Sequence, residues 1–243
     1  MEHEVMSTDE RTRLGTLLAL TDADHTASML ELVAARAVTT LAVTGAAVTV
    51  LSHLGDQTPP GRGLVHATDG TSHRLDDLQL TVGEGPCLAA FHNSAPVMVA
   101  DLAAGDGRWP GFAPAARRFG AAAVFSFPLR VGVVRLGTLD TYRDTVGPLD
   151  DQQHGDALLL ARAATQALLD ELSGDNAQST LWLGDIRTPV HEATGMVAAQ
   201  LGTTMDVALL RLRAHAYIHG LPVTEVATQI TGRTLRFSPD TRA

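Results

Sequence analysis

Apolar and polar positions repeat with two different periods along this chain, and the change of period sets its organisation. Thr8-Asp9-Glu10 offers a helix start before a run through Leu20. After Asp22 and Asp24, Met29, Leu32 and Val33 recur at i, i+3 and i+4, which predicts a second helix. Residues 43–54 are dense in β-branched and apolar side chains, with Val48, Val50 and Leu51 among them, and predict a strand. A turn is expected over 56–62, where Pro59-Pro60-Gly61 stands. A short second strand, 63–67, then ends at Asp69-Gly70. Residues 73–80 and 87–92 read as short helices on either side of the loop Gly83-Glu84-Gly85-Pro86. Next come a strand over 96–101, a helix over 113–119, and two tightly joined strands over 121–129 and 131–142. Pro148-Leu149-Asp150 opens a long helix to Leu172, apolar at Leu158, Leu159, Ala161, Ala163, Leu168 and Leu169. This order predicts an α+β domain, an antiparallel sheet with helices packed against one side.

After Ser173-Gly174-Asp175-Asn176, a candidate linker, every remaining element reads as helix. Thr188-Pro189 pairs a capping residue with proline at the first helical position, and Gly202 closes that helix. A second helix runs from Asp206 to Gly220, and a third begins at Pro222. Val223, Val226, Ala227 and Ile230 form one buried face of the third. The expected division is an N-terminal helical segment 1–27, a sensor-sized domain 28–172, a linker 173–180, an all-α three-helix domain 181–236 and a tail 237–243.

Composition removes several chemistries. All 18 basic residues are arginine, so Schiff-base, P-loop and kinase-type lysine chemistry are excluded. One cysteine excludes an internal disulfide framework and a multi-cysteine zinc site. No apolar run is long enough for a membrane span, and the acidic Met1-Glu2-His3-Glu4 start lacks a secretory signal's basic residues; a cytoplasmic protein without membrane partners is expected. The net charge of −9 is uneven: residues 1–174 hold 21 acidic groups against 12 arginines, whereas 186–236 hold five arginines against Glu192, Asp206 and Glu225. An acidic body with a mildly basic tail is one reading; chance composition is the other.

Five stretches in order carry a family resemblance: Gly83-Glu84-Gly85-Pro86-Cys87, Asp101-Leu102, Arg108-Trp109-Pro110, Phe127-Pro128-Leu129-Arg130 and Leu136-Gly137-Thr138-Leu139. Through them, residues 28–172 resemble a GAF domain of bacterial signalling proteins. His191-Glu192-Ala193-Thr194-Gly195-Met196, Ala208, Leu212-Arg213, Ala216-Tyr217 and Thr224-Glu225-Val226-Ala227 carry a second. Residues 181–236 are similar to an ANTAR domain, the three-helix RNA-binding module of antitermination regulators. Together they imply a non-enzymatic, homodimeric regulator that senses a small ligand or partner protein through one domain. The other domain would bind paired stem-loops of nascent RNA. The resemblance names no cofactor. The chain departs from the family at Thr194, where a basic residue is common, and at Pro189, where the helix usually continues from upstream. Interior proline costs about 3 kcal/mol, so the helix either starts there or kinks.

Candidate residues follow from both sources. Arg211, His215 and His219 share a polar stripe, an RNA phosphate site or a solvated face. Val207, Leu210, Ala214, Tyr217 and Ile218 form a second apolar side of the same helix, expected to be sandwiched. Arg213, Arg233, Arg236, Thr194 and Tyr217 complete the RNA candidates. Ala193, Gly195, Met196, Ala208, Leu212, Ala216, Val226 and Ala227 are expected to pack the helices. Pocket candidates in the first domain are Glu84, Cys87, His66 and Asp140. Cys87 is a bilin-type or redox thiol, or a small buried apolar group. Glu84 is a ligand contact or a cap of the helix N-terminus at Gly85-Pro86. Asp140 faces solvent, a partner or the pocket. His66, His73 and His92 show no metal-ligand spacing among themselves, and no metal site is expected. Two other functions remain open. In one, helices 206–219 and 222–231 act as a DNA-binding helix-turn-helix reading bases through Thr224, Glu225, Thr228 and Gln229. In the other, the sensor's helical tail binds only protein.

Overall fold

The computed structural model describes residues 6–19, 28–52, 61–104, 107–173 and 189–238. Asp22 and Asp24, the expected cap Thr188, the Pro59-Pro60 turn, the linker from Gly174 onward and the tail beyond residue 238 lie outside them. The elements are α1 (Thr8–Leu17), α2 (Met29–Thr40), β1 (Gly45–Ser52), β2 (Gly61–Ala67), α3 (Gly70–Val82), α4 (Pro86–Asn93), β3 (Val97–Val99), α5 (Phe112–Arg118), β4 (Ala123–Val131), β5 (Val134–Arg143), α6 (Asp151–Ser173), α7 (Pro189–Leu201), α8 (Met205–His219) and α9 (Val223–Thr231).

Five strands form one antiparallel sheet in the order β2-β1-β5-β4-β3. Helices cover both of its faces, not one as the sequence suggested. Ala123, Phe125, Phe127 and Leu129 of β4 pack with Val48 of β1, Leu139 of β5 and the apolar sides of α2 and α6. Val124 on the same strand packs the opposite way, with Leu75 of α3 and Phe112 and Ala116 of α5. A strand buried on both faces loses the apolar–polar alternation that would have announced its second layer.

The helices α1 and α2 are each fixed at their start by a capping box, Ser7 with Glu10 and Ser28 with Glu31. Helix α1 is held to α6 by a two-point ion pair: Arg13 Nε and Nη2 donate to Asp156 Oδ1 and Oδ2 at 2.8 and 2.6 Å. Asp156 is buried, and the planar guanidinium satisfies both its oxygens at once.

The helices α7–α9 make a separate core of Val190, Ala193, Val197, Ala208, Leu212, Ala216, Val223, Val226, Ala227 and Ile230. Of the expected packing residues, Ala193, Ala208, Leu212, Ala216, Val226 and Ala227 are fully buried, and Gly195 and Met196 are half-buried. Helix α7 begins at Pro189, where the missing N–H costs nothing. Among the described residues no helix is long and apolar enough to cross a membrane.

Gly137 marks the tightest crossing in the sheet. A Cβ there would lie 2.0 Å from the Thr49 carbonyl oxygen of β1. Gly137→Ala is therefore expected to force β1 and β5 apart at a cost of about 3 kcal/mol or more, read as a lower urea midpoint. Gly155→Ala in α6, with open space around it, is expected to stabilise by about 0.5–1 kcal/mol in the same assay.

Candidate functional site

Helix α3 places two surfaces back to back. On its inner side Ser72, Leu75, Asp76 and Gln79 recur at i, i+3, i+4 and i+7, the spacing of one buried face. Three of these four are polar, yet they are only 4%, 7% and 3% exposed in the order Ser72, Asp76, Gln79. They roof a partly open chamber of about 20 Å³ whose floor is the sheet, through Ala47, Val124, Ser126, Asp140, Thr141 and Tyr142.

Several of the chamber's polar groups are tied into the surrounding walls. Thr49 Oγ1 donates to Asp76 Oδ1 at 2.7 Å, and Thr138 Oγ1 donates to Asp140 Oδ2 at 2.7 Å. Gln79 Oε1 accepts the Cys87 N–H at 2.8 Å, which anchors the first turn of α4. Tyr142 OH donates to Asp69 Oδ2 at 3.3 Å, and burial pushes its pKa up.

Of the four pocket candidates, Asp140 alone lines this chamber. Cys87 is buried behind it, with Sγ 3.1 Å from Thr138 Oγ1. Glu84 caps a different helix from the one expected: its Oε1 accepts the Gly111 and Phe112 N–H groups at 2.6 and 3.1 Å at the start of α5, and the N-cap position of α4, Gly85, supplies no side-chain cap. His66 lies on the other side of the domain, where its Nδ1 is 3.8 Å from Glu31 of α2. The sequence reading missed Ser72, Asp76 and Gln79. The signal was present as three polar residues at core-facing spacing on one helix.

The outer side of α3 holds the C-terminal helices. Leu80 packs into their core. Thr81 Oγ1 accepts the buried Val223 N–H at 2.9 Å and donates to Asp77 O at 2.8 Å. Thr224 Oγ1 donates to Asp77 Oδ1 at 3.2 Å. Arg213 Nε donates to Leu80 O at 2.9 Å, a cation on the carbonyl end of a helix. Gly83 closes α3 in the left-handed region (φ 73°), and a Cβ there would meet Arg213 Nη1 at 2.7 Å.

This docking sorts the RNA candidates. Arg213 is turned onto the first domain, away from Arg211. Thr194 is buried and its hydroxyl donates to Val190 O at 2.6 Å, so it presents nothing to a surface. Thr224, a base-reading position in the DNA alternative, is occupied by Asp77. Arg211, His219, Arg233 and Arg236 are exposed and His215 is half-buried. The apolar side expected to be sandwiched is uncovered instead: Tyr217 is 67% and Ile218 77% exposed, and Val207, Leu210 and Ala214 continue the stripe. In the described chain the three-helix core uses only the Ala208–Leu212–Ala216 side of α8, which leaves the second side without a partner.

A family model described as GAF domain matches residues 25–169. No curated protein matches the chain. Among solved structures it is similar to the GAF domain from Acinetobacter phosphoenolpyruvate-protein phosphotransferase, at 11% identity and TM-score 0.47 over 71% of this chain and 99% of that one. The GAF domain of a phosphoenolpyruvate-protein phosphotransferase (ptsP) from Coxiella burnetii gives 15% and 0.48 over 66% and 92%. Escherichia coli SdiA gives 16% and 0.48 over 93% and 98%. These structural likenesses are distant and carry no functional argument.

His215 stacks on His219 with ring centroids 4.0 Å apart and meets Phe237 edge-on. Burial first, and His219 second, hold its pKa below the ordinary 6.5. On acidification the unfolded chain takes up this proton before the folded one, so stability is full above that range and falls below it. Denaturant midpoints are expected to drop between about pH 7 and pH 5, and His215→Gln to remove its share of the drop.

Proposed function

The chain belongs to the GAF domain family, and from that premise we propose that it is a signal-responsive RNA-binding regulator. The GAF domain senses a small ligand in the chamber under α3, and α7–α9 bind RNA loops as an ANTAR-type unit in a homodimer. Pairing of a terminator stem would be prevented while the loops are held. No catalytic step is assigned to the chain.

The observation that carries this reading is the open surface of α8, where Tyr217 and Ile218 stand exposed on the apolar stripe and Arg211 stands exposed on its polar margin. An uncovered aromatic ring on one stripe and an exposed guanidinium on the stripe beside it suit unpaired bases, which stack on either, and the guanidinium also grips phosphate. The RNA-facing groups are few, so the affinity of one unit is modest. Two units joined in a dimer gain through effective concentration when the loop spacing fits.

Coupling runs through α3. A ligand that moves the inner side of this helix moves the outer side too, where Leu80, Thr81 and Asp77 hold the RNA unit. A second reading has the same α8 face taking a protein helix, favoured by the aliphatic content of Val207, Leu210 and Ile218.

Titration of the full chain with a stem-loop RNA bearing two loops, a single-loop RNA and duplex DNA tests the proposal. Preference for the paired-loop RNA is expected. Tyr217→Ala and Arg211→Ala are each expected to cost about 1–3 kcal/mol of that binding. Arg213→Ala is expected to leave it intact or strengthen it, because that side chain holds the domains together. Equal affinity for all three nucleic acids would sink the RNA reading.

A further inference from the structure

The charge and the size of the chamber together select its occupant. We infer that it takes a protonated primary amine, ammonium head first; this rests on the reading of the chamber as the sensor's ligand site. Two carboxylates, Asp76 and Asp140, line the space, and no arginine or histidine is among the residues that line it. The lining thus offers carboxylate oxygens and no cationic side chain. An anion entering here would meet like charge at close range.

A second observation points to an occupant with polar atoms, and the two carboxylates beside it favour one that donates. Ser72 is nine-tenths buried, and its Oγ finds no hydrogen-bond partner among the described residues. It stands beside the space together with Asp76 and Gln79. An unmet buried hydroxyl is costly to leave. An ammonium group has three N–H donors and no acceptor, so it complements a hydroxyl oxygen and two carboxylates together.

Size narrows the class further. A cavity of about 20 Å³ holds little more than one water-sized group. A primary ammonium head has that size; guanidinium and quaternary ammonium heads exceed it. Beside the polar groups the lining is apolar, with Ala47, Leu75, Pro86, Phe112 and Val124, which suits the first methylenes of an alkyl chain.

The test uses the full chain with methylammonium chloride as the probe. Potassium chloride, tetramethylammonium chloride, sodium formate and methanol are compared at constant ionic strength. The readouts are the thermal midpoint and the backbone amide resonances of Ser72, Asp76 and Gln79. Methylammonium is expected to shift these resonances saturably and raise the midpoint, while the other four do neither. Asp76→Asn is expected to weaken methylammonium about tenfold. Ser72→Ala is expected to weaken it about threefold while raising the ligand-free midpoint, because the variant removes an unmet buried hydroxyl. That opposite pair of changes is not produced by a merely structural serine, and it keeps the test open should Asp76→Asn fail to fold. An equal response to potassium overturns the donor requirement and with it the amine. A response to formate or methanol without one to methylammonium overturns the amine class and leaves the chamber as the ligand site. No response to any probe overturns both.

Discussion

Helix α3 has to satisfy a sheet on one side and a helical bundle on the other, and most of the architecture is arranged around that double contact. Its inner face accepts polar side chains that a single-sided surface helix would turn to water. Asp76 is reconciled to burial by Thr49, and Gln79 by the Cys87 amide at the start of α4. Its outer face ends in Thr81, whose hydroxyl donates to Asp77 and accepts from Val223. Asp76, Gln79, Thr81 and Val223 are buried, so neither side can shift without exposing or orphaning a hydrogen bond on that side. A small displacement of α3 is thus expensive in place and cheap only if both interfaces adjust. That is the condition under which two packed units become coupled rather than merely adjacent.

The sequence made the elements legible because their periods were clean. Strands 43–54, 121–129 and 131–142 and the long helix to Leu172 became β1, β4, β5 and α6 with small changes at the ends. The second layer of helices was not legible. Phe125 and Phe127 announce one buried face, but Val124 and Ser126, which alternate with them, are buried too, and a continuous buried run does not say how many layers cover it. The chamber was missed for a related reason. Candidates were sought by chemical type, which found His66 and Glu84, whereas Ser72, Asp76 and Gln79 are ordinary residues made unusual by their spacing. Glu84 illustrates the remaining gap: its role as the cap of α5 joins residues 27 positions apart, which no local pattern reveals.

Helix α8 shows how one sequence feature supports opposite expectations. Apolar residues on two sides mean either two partners or one partner and an open face. The core of α7–α9 settles which side it uses: the small Ala208 and Ala216 flank Leu212 and allow close helix approach, a spacing that the side with Leu210, Tyr217 and Ile218 does not offer. The open side is then a contiguous apolar stripe rather than scattered exposure, the pattern associated with interaction surfaces. Its Arg211 and the nearby His219 give the stripe a polar margin.

The charge distribution gives this geometry a direction. The acidic excess lies before residue 175, and the C-terminal helices carry a slight positive balance in arginine alone. Docked on α3, those helices sit against the acidic domain, with Asp77 at the seam. A polyanion approaching the α8 stripe therefore feels the sensor's negative field as well as Arg211. Moving the bundle away from α3 weakens that repulsion and returns Arg213 from the Leu80 carbonyl to the surface. Both changes favour the same partner. In the proposed reading, undocking would raise the affinity for RNA without adding a contact on α8, by removing an opposing charge and releasing a cation.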